Sequence, residues 1–228
     1  MATPTDFLLL QINDALFPIG GYSHSWGLET YIQEGIVADV QGAGDYIRSR
    51  LRHSLLYTEL LAVRLAYEAA ARGDGEALSA LDDILEASVL PRESREAMGK
   101  LGSRFIKTLD SASLPALAPV WGGYRSAPGV HHHAVAYGVL CAAAGIGKAP
   151  GLSHFLYAQA SAMVTTCVKT IPLSQTLGQA LLAELHPLLT ELVVAVEELP
   201  ESMLCVGCPG FDIRGMAHEV LYSRLYMS

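Results

Sequence analysis

The chain has 228 residues, and 15 Lys and Arg against 23 Asp and Glu leave a formal net charge of −8, which argues against a broad footprint for nucleic acid or an anionic membrane. It is 51% hydrophobic and only 17% charged, with a mean hydropathy of +0.30, the opposite of a disordered composition and enough to bury a core. Four cysteines in a chain of this length make no disulfide framework, and the opening residues lack the basic start of an export signal, so the expected setting is the cytoplasm with reduced thiols.

Charge is unevenly placed. Residues 1–47 carry Asp6, Asp14, Glu29, Glu34, Asp39 and Asp45 and no Lys or Arg. From Gly42 to Arg72 the pattern predicts one long helix, with Ile47, Leu51 and Leu55 stepping by four beside a stripe of Leu56, Leu60, Val63 and Tyr67, ended at Gly73. A second helix fits Glu76–Ala87, and a third begins at Pro91 and runs through Leu109. Ser111–Gly129, holding Pro115, Pro119, Gly122, Gly123 and Pro128, reads as a loop inside one domain. Helical patterns then cover about 131–144, 152–168, 173–185 and 187–198, with Pro187 breaking or kinking the last pair. Between Asp110 and Glu184 there is no acidic residue, so those helices form either the interior of the bundle or an apolar partner-facing surface. No alternating strand pattern is present; the expectation is an all-α, single-domain bundle of about eight to ten helices spanning 1–228.

Candidate chemistry is sparse. Pro18, Gly20, Gly21, Tyr22, Ser23, His24 and Ser25 form a shaped, polar turn leading toward Glu29. Ser23 and His24 are sequence neighbours with no nucleophile-elbow frame and no orienting carboxylate, so no catalytic residue is assigned. Gly147-Lys148 lacks both the first glycine and the Ser/Thr of a phosphate loop and reads as a helix C-cap with a flanking lysine. His131-His132-His133 and the Cys205-x-x-Cys208 pair are the only metal-like signals. Adjacent helical residues diverge by about 100°, and no second Cys pair follows, so no metal or cofactor is assigned. At the other end, residues 211–228 form an aromatic, Arg-bearing segment in which His218, Leu221 and Leu225 fall on one side at helical spacing. It suits either a terminal helix docked on its own core or a recognition tail.

Two blocks, Phe17-Pro-Ile-Gly-Gly-Tyr-Ser-His-Ser-Trp-Gly-Leu-Glu29 and His218-Glu-Val-Leu-Tyr-Ser-Arg-Leu-Tyr226, together with the middle segment Ser161–Gln179, resemble the UreF family of urease accessory proteins. Phe17 takes the place of the commoner leucine. The resemblance implies an all-helical, homodimeric, cytoplasmic chaperone of nickel urease maturation with no catalytic centre. Such a protein works with UreD (UreH), the GTPase UreG and apo-urease, coupling GTP hydrolysis to nickel delivery. Because both blocks are polar-aromatic clusters in an otherwise apolar chain, the further expectation is that Pro18, Gly20, Gly21, Tyr22, Ser23, His24 and Glu29 join His218, Glu219, Tyr222, Ser223, Arg224, Leu225 and Tyr226 in one partner-binding region, with 211–228 as its tail. The acidic first 47 residues are then a candidate docking face for a basic partner surface. The alternative is direct nickel binding through His131–His133 or Cys205 and Cys208.

Overall fold

Capping side chains and glycines set the helix ends in the computed structural model, which describes residues 3–112 and 117–228. Helix α1 (Pro4–Ile12) opens with a capping box, the Thr3 hydroxyl accepting from the Asp6 N–H while the Asp6 carboxylate accepts from the Thr3 N–H at 2.7 Å. A 3₁₀ turn at Gly21–Ser23 precedes α2 (Leu28–Gln33). Helix α3 (Val40–Arg50) is capped by Asp39, which accepts from the Gly42 N–H at 2.8 Å. The rod continues through a π-helical stretch, Leu51–Leu60, into α4 (Leu61–Arg72), and Gly73 at φ 71° ends it. The single long helix expected there is present, but its middle turns are wider than α. Buried Ile47, Leu51 and Leu55 step by four before the stripe passes to Leu56 and Leu60. One extra residue must be absorbed for both stripes to face one core, and a π turn absorbs it.

Next come α5 (Gly75–Ser88), capped by Asp74, and α6 (Arg92–Ser111), with Pro91 at its N-cap. Then follow α7 (Pro119–Ser126), α8 (His133–Ala143), α9 (Lys148–Thr170), α10 (Gln175–Glu184), α11 (His186–Glu198), a 3₁₀ turn at Glu201–Met203 and α12 (Pro209–His218). With Val40–Arg72 taken as one rod, the described residues make eleven helices and no strand, an all-α single domain. The helical patterns read from the sequence left out short ones, α1 and α7 among them. Helix α7 lies in the stretch read as loop, where Pro119 starts a turn and Trp121 and Tyr124 anchor it to the interior. Residues 113–116 of that stretch, Pro115 included, lie outside the described residues.

Helix α8 is buried nearly all round and crosses α4 at the centre of the bundle. Gly138 makes that crossing possible, because a Cβ there would meet the Val63 carbonyl at 2.5 Å and the Ala66 methyl at 2.9 Å. The charge-poor region is thus partly interior: α8 supplies core, whereas α9 buries Leu152, Phe155, Leu156 and Met163 and exposes Tyr157. The buried Tyr137 hydroxyl donates to the Gly151 carbonyl at 3.1 Å and accepts from Asn13 at 2.9 Å, fastening α9 and the end of α1 to α8. Gly145, at φ 69°, rather than Gly147 follows the end of α8; Gly147 is instead the N-cap of α9. Lys148 pairs with Glu68 at 2.8 Å and Glu197 at 2.6 Å, tying the start of α9 to α4 and α11. Helices α10 and α11 meet at a bend of 42°, with Pro187 in the first turn of α11. No single helix among the described residues is long and apolar enough to cross a membrane. The bent pair reaches that length and composition jointly, and its Leu181, Leu182, Leu188, Leu189, Leu192 and Val196 face the core.

Candidate functional site

The 17–29 block and the last residues of the chain fold into one unit. Gly20 (φ 86°), Trp26 (φ 55°) and Gly27 (φ 83°) adopt left-handed conformations, a costly one for Trp26. The turn aims two consecutive N–H groups, of Ser25 and Trp26, at the Ser228 carbonyl, at 2.6 and 3.1 Å. The Ser25 hydroxyl donates to the same oxygen at 2.7 Å, and the Met227 N–H donates to the Ser23 carbonyl at 2.8 Å. His24 Nδ1 lies 2.8 Å from Ser228 Oγ. Burial, reinforced by the nearby Arg104 and Lys100, pushes His24 below the ordinary histidine value and favours its neutral form. Gly27 is small of necessity, since a Cβ would come within 3.1 Å of the Gly215 nitrogen in α12.

Glu29, in the first turn of α2, is the centre of the unit. It is 6% exposed, and its carboxylate accepts the N–H groups of Leu225 at 2.7 Å and Tyr226 at 3.1 Å. His218, fully buried at the end of α12, places Nε2 3.1 Å from Glu29 and Nδ1 2.8 Å from Glu93 of α6. Arg224 completes the arrangement by donating to Glu93 at 2.6 Å. Burial raises the Glu93 pKa, but the hydrogen bonds from His218 and Arg224 outweigh it and hold the carboxyl below its ordinary value. Around this centre Arg92 donates to Glu219 at 2.9 Å, Arg214 to Glu34 at 2.8 Å, and Gln33 to the Ser223 carbonyl at 2.7 Å.

The named residues therefore separate into two kinds. His24, Glu29, His218 and Tyr226 are buried and hold the unit together. Pro18, Tyr22, Tyr222, Ser223, Arg224 and Leu225 face outward; Tyr22 is 71%, Leu225 67% and Tyr222 fully exposed. Gly20, Gly21, Ser23 and Glu219 lie between these extremes. The helical register expected through Leu225 is corrected: α12 stops at His218, and 221–228 is irregular because its N–H groups go to Glu29 and Ser23 instead of to a helical ladder. Participants given no role from the sequence include Gln33, Arg92, Glu93, Arg214 and Ser228. Glu93 looked like any acid in a first helical turn, and nothing local ties it to a histidine 125 positions away.

Tyr22, His24, Trp26 and Tyr226 also line a groove of about 910 Å³ bounded by α1, α9 and α11. Its walls carry the exposed apolar side chains Leu10, Tyr157 and Val194, and the Tyr226 hydroxyl is buried without a hydrogen-bond partner.

The three histidines at 131–133 do not converge. Asp82 takes the His132 N–H at 2.8 Å, the Tyr124 hydroxyl at 2.9 Å and approaches His131 Nδ1 at 3.4 Å. His132 Nε2 lies 3.1 Å from Glu86, while His133 turns away among Phe105, Tyr137 and Phe155. Cys205 and Cys208 are half-buried free thiols, and burial raises the pKa of Cys205. Among the described residues no group of three or more His, Cys, Asp or Glu side chains is arranged to hold a metal ion.

A helical bundle whose two ends lock together, with aromatic side chains projecting from the lock, is the build of a protein that works through contacts with others. The UreF family model matches residues 37–186, and close relatives extend the match to nearly the whole chain. The urease accessory protein UreF of Bacillus sp. (strain TB-90) is 37% identical over 221 residues, covering 96% of this chain and 97% of its own. Those of Lachnoclostridium phytofermentans and Actinobacillus pleuropneumoniae are 36% and 37% identical, each over 96% of this chain and 97% of their own. The chain belongs to the UreF family of urease accessory proteins.

Proposed function

We propose that this protein is a non-catalytic scaffold of nickel urease maturation, acting in the cytoplasm with UreD (UreH), the GTPase UreG and apo-urease to couple GTP hydrolysis to nickel delivery. The observation that carries the reading is the joined 17–29 and 218–228 unit: its buried members fix a shape, and Tyr22, Tyr222, Arg224 and Leu225 project from it. Exposed Tyr and Arg on a preorganised surface are the chemistry of binding hot spots. The acidic opening contributes little free charge to such a face, because Asp6 and Asp39 cap helices, Glu29 is buried and Glu34 pairs with Arg214.

The same reading includes a homodimer. Its support is the groove beside α1, whose rim of Leu10, Tyr22, Tyr157 and Val194 is exposed on the charge-poor side of the molecule. Ridge and groove on one face allow a two-fold contact in which each copy fills the other. Co-purification with UreD and UreG, followed by the mass of the complex and its GTP turnover with and without this chain, tests the reading. Arg224→Ala protein that stays folded yet captures both partners undiminished removes the tail from it. Sedimentation as a monomer at micromolar concentration removes the dimer.

A further inference from the structure

Three cations of α6 share one face. Lys100, Arg104 and Lys107 stand at i, i+4 and i+7 and are exposed, while Leu101, Phe105 and Leu109 turn into the core. No ion pair joins Arg104 or Lys107 to a carboxylate among the described residues, and Lys100 meets only Glu96, one turn back, at 3.2 Å. Both members of that pair are exposed and such a pair is weak, so the lysine is free to exchange it for another carboxylate. In the joined unit nearby the cations are matched: Arg92 with Glu219, Arg214 with Glu34 and Arg224 with Glu93.

The stripe adjoins the 17–24 turn. Phe17 meets Phe105 edge-on with ring centres 5.7 Å apart, and the Arg104 guanidinium donates to the Ile19 carbonyl at 3.3 Å. Gly20 lacks the Cβ that would strike this guanidinium, which lets the arginine approach the backbone of the turn. The same charges reach His24, where Arg104 and Lys100 add to burial in favouring the neutral ring. Tyr22 projects from the turn with most of its side chain in solvent, and Leu16, just before it, is 89% exposed. The acid closest in sequence, Asp14, accepts the Leu16 N–H at 2.7 Å. An exposed aromatic side chain thus stands beside cations that this chain leaves unmatched.

We propose that the 17–24 turn and the Lys100, Arg104 and Lys107 stripe form one docking face for an acidic patch on a protein partner. The inference rests on the reading of that turn as a partner-binding surface and adds the sign of the charge it meets. Tyr22 supplies the anchor, and the stripe supplies the complementary field that guides encounter. A protein fits this face better than a nucleic acid or an anionic membrane does. A chain of net charge −8 is repelled by an extended polyanion. Three cations within about two turns of helix instead match a few carboxylates at short range, where salt confines the field.

The test follows association of the full chain with immobilised UreD and UreG at low and high salt. Lys107→Glu should slow association with at least one of them by about fivefold or more at low salt, and Lys100→Glu/Lys107→Glu by more. Lys107→Gln should fall between Lys107→Glu and wild type, and the differences should shrink at high salt. Arg72→Glu makes the same change in net charge from an exposed site at the end of α4 and should associate like wild type. Stripe variants as fast as wild type overturn the proposal, as does an equal slowing by Arg72→Glu, which would leave only net charge at work. Wild type that binds a DNA duplex or phosphatidylserine vesicles, with Lys107→Glu losing that binding and keeping its protein association, also overturns it. Tyr22→Ala separates this inference from the reading beneath it: if Tyr22→Ala weakens capture and the stripe variants do not, the turn still docks a partner and only the acidic patch is lost. Wild type captured by neither protein removes both.

Discussion

His133 and His218 are the same side chain in opposite surroundings. His133 sits against Phe105, Tyr137 and Phe155, with Nε2 buried and unpartnered, and burial alone pushes its pKa down to about 4. His218, equally withdrawn from water, lies between Glu29 and Glu93. Aromatic walls offer nothing to a positive charge, so the first site selects the neutral ring, whereas the second ring has a carboxylate from a different helix at each nitrogen. The first is a packing element of the central bundle. The second joins segments far apart in sequence, fastening α12 to α2 and α6.

The largest consequence belongs to His133. Its folded pKa of about 4 lies below the ordinary 6.5, so between those values the unfolded chain binds the extra proton. Stability is full above about pH 6.5 and declines as the pH falls, by up to about 3 kcal/mol near pH 4. Urea denaturation of wild type and His133→Phe at pH 7 and 4.5 checks this: the variant should lose most of the dependence, and equal slopes would refute the assignment. Next comes Asp82→Ala, which strands the His132 N–H and the Tyr124 hydroxyl inside the bundle and should lower global stability by about 3 kcal/mol. Because Asp82 belongs to the first region, exchange at 221–228 should worsen no more than the global midpoint implies. Glu29→Gln should invert that pattern, speeding segment exchange about tenfold while moving the midpoint by less than about 1 kcal/mol. If both variants loosen the whole molecule alike, the two regions are not separate.

Much of this could be read before the fold was known, for definable reasons. Helix periodicity located the bundle because Ile47, Leu51, Leu60 and Leu85 answer to one buried face each. Gly73 announced its own helix end. The clustering of Tyr22, Ser23 and His24 marked the turn, and the chain does bring that turn to 223–228. Periodicity failed after His218, where long-range acceptors replace the helical ladder, and it carried no trace of Glu93. Proline content misled at Pro119, which sits where a helix tolerates it. A run of three histidines looked like one feature, but successive residues diverge, and Asp82, Glu86 and an aromatic pocket divide them.

The smallest effect on the isolated chain separates fastening from presentation within the second region. Tyr222 is fully exposed, so Tyr222→Ala should change stability by no more than about 0.5 kcal/mol. Under the scaffold reading it nevertheless removes an aromatic anchor, and capture of UreD and UreG should weaken by about fivefold or more, an effect above 1 kcal/mol. Glu29→Gln weakens capture by another route, because it frees the segment that carries Tyr222. The two are told apart by adding Tyr222→Ala to Glu29→Gln: if Glu29 acts only by holding the segment in place, the double variant loses less than the two single losses combined, because an anchor already adrift has less to contribute. Simple additivity would place Glu29 and Tyr222 in independent roles and confine Glu29 to the stability of the chain.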